Sequence, residues 1–285
     1  MTENPDLDTT QLSGQVALVT GGGRGIGRSC AHMLAKAGML VAVVARSAEQ
    51  VRETVAQITA AGGQALAVTA DVTDRQAVAE VVRTVEQQLG AVDLLINNAG
   101  ISTPLGPLWE VDSDEWWRSI EINIRSILLC SAAVLPKMIA RHKGRIINVA
   151  SGMGTVSMPY FSAYITSKTA VIRLSEVLAS ETHDHGVHVF AIDPGLVRTA
   201  MTEYLVESAD GRKWLPWGSN LFVNGVDISP EISAQLVLRL ATGYADSLSG
   251  RLINADDDLT QTLSQLSEIE QRQLYTLRVN RLGSA

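Results

Sequence analysis

Val16-Ala-Leu-Val-Thr-Gly-Gly-Gly-Arg-Gly-Ile-Gly27 is the stretch on which the reading of the fold turns. Its first five residues form an apolar, β-branched run of strand length, and the glycines follow at once. Behind them Cys30, Met33, Leu34 and Ala37 recur at helical spacing. A strand that passes through a glycine-rich turn into a helix delivers backbone N–H groups and a helix N-terminus to a pyrophosphate. Glycine suits such a turn because a Cβ would block the approach of the phosphates and because it tolerates positive φ. Gly21, Arg24, Gly25, Ile26 and Gly27 are the first candidate nucleotide contacts.

Outward from that turn, short apolar runs alternate with longer amphipathic ones. The strand-like runs are 16–20, 40–44, 65–68, 92–96, 145–149, 187–192 and a last one within 249–255, about seven in all. Helical patterns fall near 25–37, 48–61, 74–89, 113–142 and 163–183, and Pro230 opens a further helix. Continuous apolar strands separated by helices predict a three-layer α/β fold, a doubly wound parallel sheet covered on both faces. Neither repeats nor a Pro- or Ser-rich linker divide the chain. The expected organisation is a flexible polar tail at 1–13, one catalytic domain over 14–256 and a helical extension at 257–285.

In such a sheet the strand ends carry the ligand. The second strand ends Val43-Val-Ala-Arg-Ser47, with Arg46 and Ser47 where an acidic residue would take a ribose 2′-OH. A guanidinium there, with Arg24 beside it, grips a 2′-phosphate, which favours NADP(H) over NAD(H). Asp71 and Val72 follow the third strand at the rim of an adenine pocket. The fourth strand enters Asn97-Asn98-Ala99-Gly100, whose small residues admit a ribose while Asn97 ties neighbouring strands together. The sixth enters Asp193-Pro-Gly-Leu-Val-Arg-Thr199, where Pro194 and Gly195 force a turn. Val197 and Thr199 follow as candidate neighbours of a nicotinamide, Thr199 through its carboxamide.

The fifth strand leads to Ser151-Gly-Met-Gly-Thr-Val-Ser-Met-Pro-Tyr-Phe-Ser-Ala-Tyr-Ile-Thr-Ser-Lys168. Tyr164 and Lys168 share one helix face, a turn apart. An ammonium beside a phenol favours the phenolate, so the pair predicts a Tyr164 pKa lowered toward neutrality and a general acid or base. Asn123 lies in the apolar run Ile120, Ile122, Ile124, Ile127. There it either serves a carbonyl freed at a kink or holds a catalytic water. Pro136 should kink or end that helix.

Composition narrows the partners. The chain has 285 residues, is 46% hydrophobic and carries a net charge of −7. An acidic surface disfavours nucleic acid and anionic membrane. No apolar run approaches the roughly 20 residues of a membrane span. The N-terminus lacks the basic and apolar regions of an export signal, and two cysteines, Cys30 and Cys130, read as free thiols. The expected location is the cytoplasm. No metal is expected: His183, Asp184, His185 and His188 read as a solvated turn, and Asp256 to Asp258 as a helix N-terminus.

Taken together, Thr20-Gly-x-x-x-Gly-x-Gly27, Asn97-Asn-Ala-Gly100, Asn123, Ser151, Tyr164-x-x-x-Lys168 and Pro194-Gly195 resemble the short-chain dehydrogenase/reductase family over roughly residues 12–200. The resemblance implies a Rossmann fold with a nicotinamide cofactor across its carboxyl edge. It implies Tyr164 as acid/base, Lys168 as the group that lowers its pKa and holds the nicotinamide ribose, Ser151 as the orienter of the substrate oxygen, and Asn123 as the holder of a relay water. It further implies oxidoreduction of a ketone or secondary alcohol of small-molecule size and a homo-oligomer. The spacing of the glycine turn fits shorter members rather than sugar-nucleotide epimerases, and the Tyr–Lys spacing is closer than in enoyl reductases.

Beyond Thr199 the pattern departs from the family. Residues 200–229, with Tyr204, Leu205, Trp214-Leu-Pro-Trp217, Leu221 and Phe222, fit a substrate lid for a bulky or apolar compound. Met153, Met158, Tyr160, Phe161 and Trp109 are candidates for the rest of the wall. The Asp256-Asp-Asp258 ending and a long helix over 258–277 replace the usual terminus, which leaves a tetramer less certain than a dimer.

Overall fold

A computed structural model describes residues 7–223 and 225–279. Seven strands lie parallel in the order β3-β2-β1-β4-β5-β6-β7. They are β1 Val16–Thr20, β2 Leu40–Ala45, β3 Gln64–Thr69, β4 Val92–Asn97, β5 Gly144–Val149, β6 Val187–Asp193 and β7 Leu252–Asn254. Between them run α1 Gly25–Lys36, α2 Ala48–Ala60, α3 Arg75–Gln88, α4 Ser113–Ile120, α5 Ser126–Ala140 and α6 Ser162–Thr182. After β6 come α7 Ala200–Glu207, α8 Ala209–Trp214 and α9 Pro230–Ala241, and after β7 come α10 Leu259–Ser264 and α11 Leu266–Gln271.

Successive strand residues point to opposite faces, and both faces are covered. Ala17 and Val19 of β1 pack with Leu34 of α1, Ile58 of α2 and Leu240 of α9. Val16 and Leu18 pack with Val85 of α3 and with Val134 and Met138 of α5. This is the three-layer, doubly wound arrangement that the apolar runs predict. Strand order reverses between β1 and β4, so the loops leaving these two strands diverge and open a crevice at their carboxyl ends.

Buried polar side chains tie this edge together. Asn97 and Asn148 face each other in register on β4 and β5, and Asn97 Nδ2 donates to Asn148 Oδ1 at 2.8 Å. Asn148 Nδ2 donates onward to Ser175 Oγ of α6 at 2.9 Å. Asn97 thus does what its sequence position suggests, linking neighbouring strands.

Several local expectations change. Leu12, in the segment read as a flexible tail, is buried, and Gln11 Nε2 donates to the Thr242 carbonyl at 2.7 Å. Residues 1–6 of that tail, and 280–285 of the extension, lie outside the described residues. The long helix read over 258–277 is instead the short pair α10 and α11. Asp258 caps α10 by accepting from Thr260 and Gln261 N–H, and Asp257 takes the Asn254 N–H at 2.8 Å. His188 lies within β6, 3.3 Å from Asp246, rather than in the turn at His183–His185.

The helix read over 113–142 is continuous through Pro136 and loosens elsewhere, at a π-helical turn over Glu121–Arg125. From Ser113 to Ala140 it is long and apolar enough to cross a membrane by length and composition. In the fold it packs on β4, β5 and α3. Cys30 and Cys130 are free and buried, and burial pushes both thiols up to about 12, leaving them unreactive.

Candidate active site

A cavity of about 1080 Å³ runs along the carboxyl ends of the strands. Single small-molecule sites span roughly 300–1,000 Å³, so this one lies at the top of that range. At one end lie Gly21, Arg24, Gly25, Ile26, Arg46, Ser47, Asp71 and Val72. The middle is walled by Asn98, Ala99, Gly100, Pro194, Gly195, Val197 and Thr199, and the far end by Ser151, Tyr164 and Lys168. Gly27 and Asn123, from the same motifs, do not line the cavity; both stand behind its wall.

The glycine turn fits as tightly as its sequence requires. Gly21 has φ of +63°, and a Cβ there would come within 2.8 Å of Asn98 Nδ2. A Cβ on Gly27 would stand 2.5 Å from the Gly21 carbonyl oxygen. Asn98 holds this turn by donating from Nδ2 to the carbonyls of Thr20 (3.1 Å) and Gly21 (3.2 Å). Thr20 Oγ1 accepts from the N–H of Asn98 and of Ala99. The Asn98 amide is thus committed to the loop that shapes the cradle. Thr199 caps α7 through a reciprocal pairing with Thr202.

Where β2 ends, Arg46 and, across the turn, Arg24 are both exposed at the cavity wall. Ser47 caps α2 by accepting from Gln50 N–H at 3.3 Å. Burial alone would raise the Asp71 carboxyl. Hydrogen bonds from the Thr73 N–H and hydroxyl outweigh that and, with the nearby Arg46 and Arg118, hold it below the usual range.

Asn123 is fully buried in the π-helical turn. Its Oδ1 accepts from Ile101 N–H at 2.9 Å, and its Nδ2 donates to the Ile101 carbonyl at 2.9 Å and to Ser167 Oγ at 2.8 Å. One amide therefore clips the loop after β4 to α6, the helix that bears Tyr164 and Lys168.

Tyr164 and Lys168 do share a face of α6, with the Lys168 Nζ 5.6 Å from the centroid of the phenol ring. The expected lowering of the phenol is opposed by its burial. Burial dominates and pushes Tyr164 up to about 12; the Ser151 hydroxyl pulls it down and the Asp193 charge pushes it further up. Lys168 is itself buried and lowered to about 8, with Asp193 acting against that fall. Its Nζ donates to the Val149 carbonyl at 2.7 Å. At neutral pH the site therefore holds a protonated phenol, the form that donates a proton.

The substrate end is apolar. Met153, Met158, Phe161, Leu205, Trp217 and Leu221 line the cavity as expected, and Ile101, Val156 and Met201 join them. Trp214 backs the wall by packing on Tyr160 with ring centroids 5.0 Å apart. Phe222 lies under Arg198 instead, and Trp109 is 83% exposed. Met201 and Val156 carry no signal beyond their neighbourhood in sequence. Asp193, which the sequence marks only as the residue before a turn, also lines the cavity beside Ser151, Tyr164 and Lys168.

The fold, the crevice and the ordered motifs define a dinucleotide-dependent oxidoreductase of the short-chain type. Residues 15–210 match the family model for short chain dehydrogenases. The chain belongs to the short-chain dehydrogenase/reductase family, whose NAD(P)-dependent members act on alcohol and ketone groups. It is 41% identical over 199 residues to a short chain dehydrogenase of Pseudocercospora fijiensis, covering 69% of this chain and 64% of that relative. It is 36% identical over 265 residues to the short-chain reductase protein NovJ of Streptomyces niveus, covering 90% and 98%. Among solved structures, one from Beutenbergia cavernae is assigned as an NAD(P)-dependent gluconate 5-dehydrogenase and holds NADP at low occupancy. It superposes with a TM-score of 0.77 at 33% identity, covering 86% of this chain and 96% of that one.

Proposed function

We propose that the chain is an NADP(H)-dependent oxidoreductase that interconverts a ketone and a secondary alcohol on a bulky, largely apolar small molecule, with Tyr164 as general acid/base. The observation that carries this reading is that Ser151, Tyr164 and Lys168 line one cavity whose substrate end is methionine- and aromatic-lined. Methionine side chains adapt to irregular apolar shapes and make favourable contacts with aromatic rings.

The cradle at Gly21 and the two exposed arginines fit a dinucleotide that bears a 2′-phosphate. When bound, the nicotinamide supplies or accepts the hydride; the protein's part is positioning and proton transfer. In reduction, the Tyr164 Oη–H donates to the carbonyl oxygen as negative charge develops there. Ser151 Oγ–H stabilises the same oxygen, a hydrogen bond worth most where charge appears. Lys168, charged below about pH 8, faces the cavity as a candidate partner for the ribose hydroxyls, and Asn123 keeps the α6 wall in place. The apolar wall excludes water and binds the remainder of the substrate.

The test is to mix the purified protein with NADPH and a panel of aromatic and long-chain ketones. NADPH oxidation with at least one apolar ketone, lowered about 10²–10⁴-fold by Tyr164→Phe, is the expected result. Equal turnover by the Phe variant would exclude Tyr164 as the acid. A preference for NADH would remove the phosphate reading of Arg24 and Arg46.

A further inference from the structure

We propose that Asp193 is a positioning residue that ties the Ser151 loop to the turn after β6, fixing the serine and the phenol in one geometry. The inference rests on the reading above in so far as Ser151 and Tyr164 carry the chemistry.

Asp193 is the last residue of β6, in register with Asn254 of β7, and its side chain lines the cavity with Ser151, Tyr164 and Lys168. Its Oδ1 accepts from Gly195 N–H at 3.2 Å. Its Oδ2 lies against Gly152, so near that a Cβ at Gly152 would come within 2.5 Å of it. Gly152 directly follows Ser151 and opens the short 3-10 turn that Ser151 itself caps, through Oγ accepting from Met153 N–H at 3.2 Å. The carboxylate thus accepts from the Pro194–Gly195 turn with one oxygen and lies against Gly152, immediately behind Ser151, with the other.

The residue type matters. Two backbone segments meet a group that is acceptor-only when ionised. An asparagine keeps one acceptor oxygen and turns an NH₂ toward the other segment. Burial raises the Asp193 carboxyl, the N–H groups of Gly195 and Gly152 pull it back, and Asp256 and Asp257 push it up again. The charged and titratable groups facing it are Tyr164 and Lys168 from α6, together with those two aspartates after β7. Its negative charge opposes the phenolate of Tyr164 and favours the ammonium of Lys168.

Two measurements test this, one free of turnover. Thermal unfolding is followed for the wild type, Gly152→Ala, Asp193→Ala and the double variant. The added methyl should lower Tm in the wild-type background and do so markedly less once Asp193 is removed. Strictly additive effects would overturn the contact, whether or not the enzyme turns over any compound tried. The second measurement uses the NADP(H)-loaded enzyme and follows kcat and KM against pH for the wild type and Asp193→Asn. We expect kcat to fall about ten- to a hundred-fold with little change in KM. The ionisation that admits alcohol oxidation should move to lower pH by about one pH unit, because a charge opposing the phenolate is gone. A fall in kcat with an unmoved pH profile assigns Asp193 a general structural role and overturns the proposal, as does an unchanged kcat. Absence of turnover by the wild type refutes the enzymatic reading alone, and the unfolding cycle then decides the Asp193–Gly152 link.

Discussion

Lys168 shows how the site trades stability for chemistry. Burial lowers it to about 8 from an ordinary 10.5, so below pH 8 the folded protein carries a buried ammonium that the unfolded chain would hydrate. The unfolded state binds the proton more strongly, so between about 8 and 10.5 this residue makes stability rise with pH. The penalty at neutral pH is on the order of 3 kcal/mol. Tyr164 acts oppositely above its ordinary pKa of 10: the folded state keeps the proton to about 12, and stability falls over that interval. Lys168→Met should therefore raise Tm at pH 7 in the absence of nucleotide while abolishing turnover; a lower Tm would contradict the burial cost. Turnover in the reductive direction should decline as pH rises through about 8, when Lys168 loses its charge and Tyr164 keeps its proton. The four-residue spacing of this pair was legible in the sequence. Its burial was not, because burial is set by β5, the Ser151 loop and the 200–229 segment closing over α6, none of which a local pattern encodes.

Among the elements, the polar ladder Asn97–Asn148–Ser175 and the Asn123 clip hold α6, the helix of Tyr164 and Lys168, against the sheet and the loop after β4. Asn148→Ala removes one partner from each of Asn97 and Ser175, which keep Ser131 Oγ and the Val171 carbonyl, so the cost should be that of the lost hydrogen bonds, about 1 kcal/mol each. Urea unfolding should show that loss, and an unchanged midpoint would mean the ladder contributes nothing. If the proposed 2′-phosphate contact is right, Arg46→Asp should weaken NADPH binding roughly 10- to 100-fold, the worth of a charge-assisted hydrogen bond of about 1.5–3 kcal/mol, and leave NADH binding little changed. Titration calorimetry with both nucleotides reads this directly. Strands β1 to β6 and helices α1, α2, α3 and α6 were legible to within a residue or two because their apolar periods are strong. Asn123 stood out as a polar residue in an apolar run, but the π-helical turn that houses it did not. A one-residue loosening leaves no mark on a 3.6-residue period, whereas Pro136, the expected breaker, is absorbed within α5. The extension misled for a related reason: α10 and α11 pack separately against the core through Leu259 and Ile269, and the sequence alone does not show the break between them.

For the whole molecule, the carboxyl edge of one sheet gathers residues from seven separate stretches of chain into a single cavity. The opposite surfaces carry other features. Leu128 of α5 and Val177 of α6 are exposed at 53% and 43%, while the Tyr275 carbonyl accepts from Leu252 N–H at 2.9 Å at the outer edge of β7. The glycine turn, the two asparagines and the Tyr–Lys pair were enough to foresee where the cavity lies. The shape of its substrate end depends on how 200–229 folds over it, and that segment follows no pattern shared with the rest of the chain. The central claim, that a protonated Tyr164 completes carbonyl reduction in an apolar pocket, is tested most directly by one pre-steady-state measurement: single-turnover NADPH oxidation with an aromatic ketone, wild type against Tyr164→Phe, both saturated with nucleotide. Rapid loss of NADPH absorbance is expected for the wild type and a rate about 10²–10⁴-fold lower for the variant at unchanged NADPH affinity; equal rates would contradict proton donation by Tyr164.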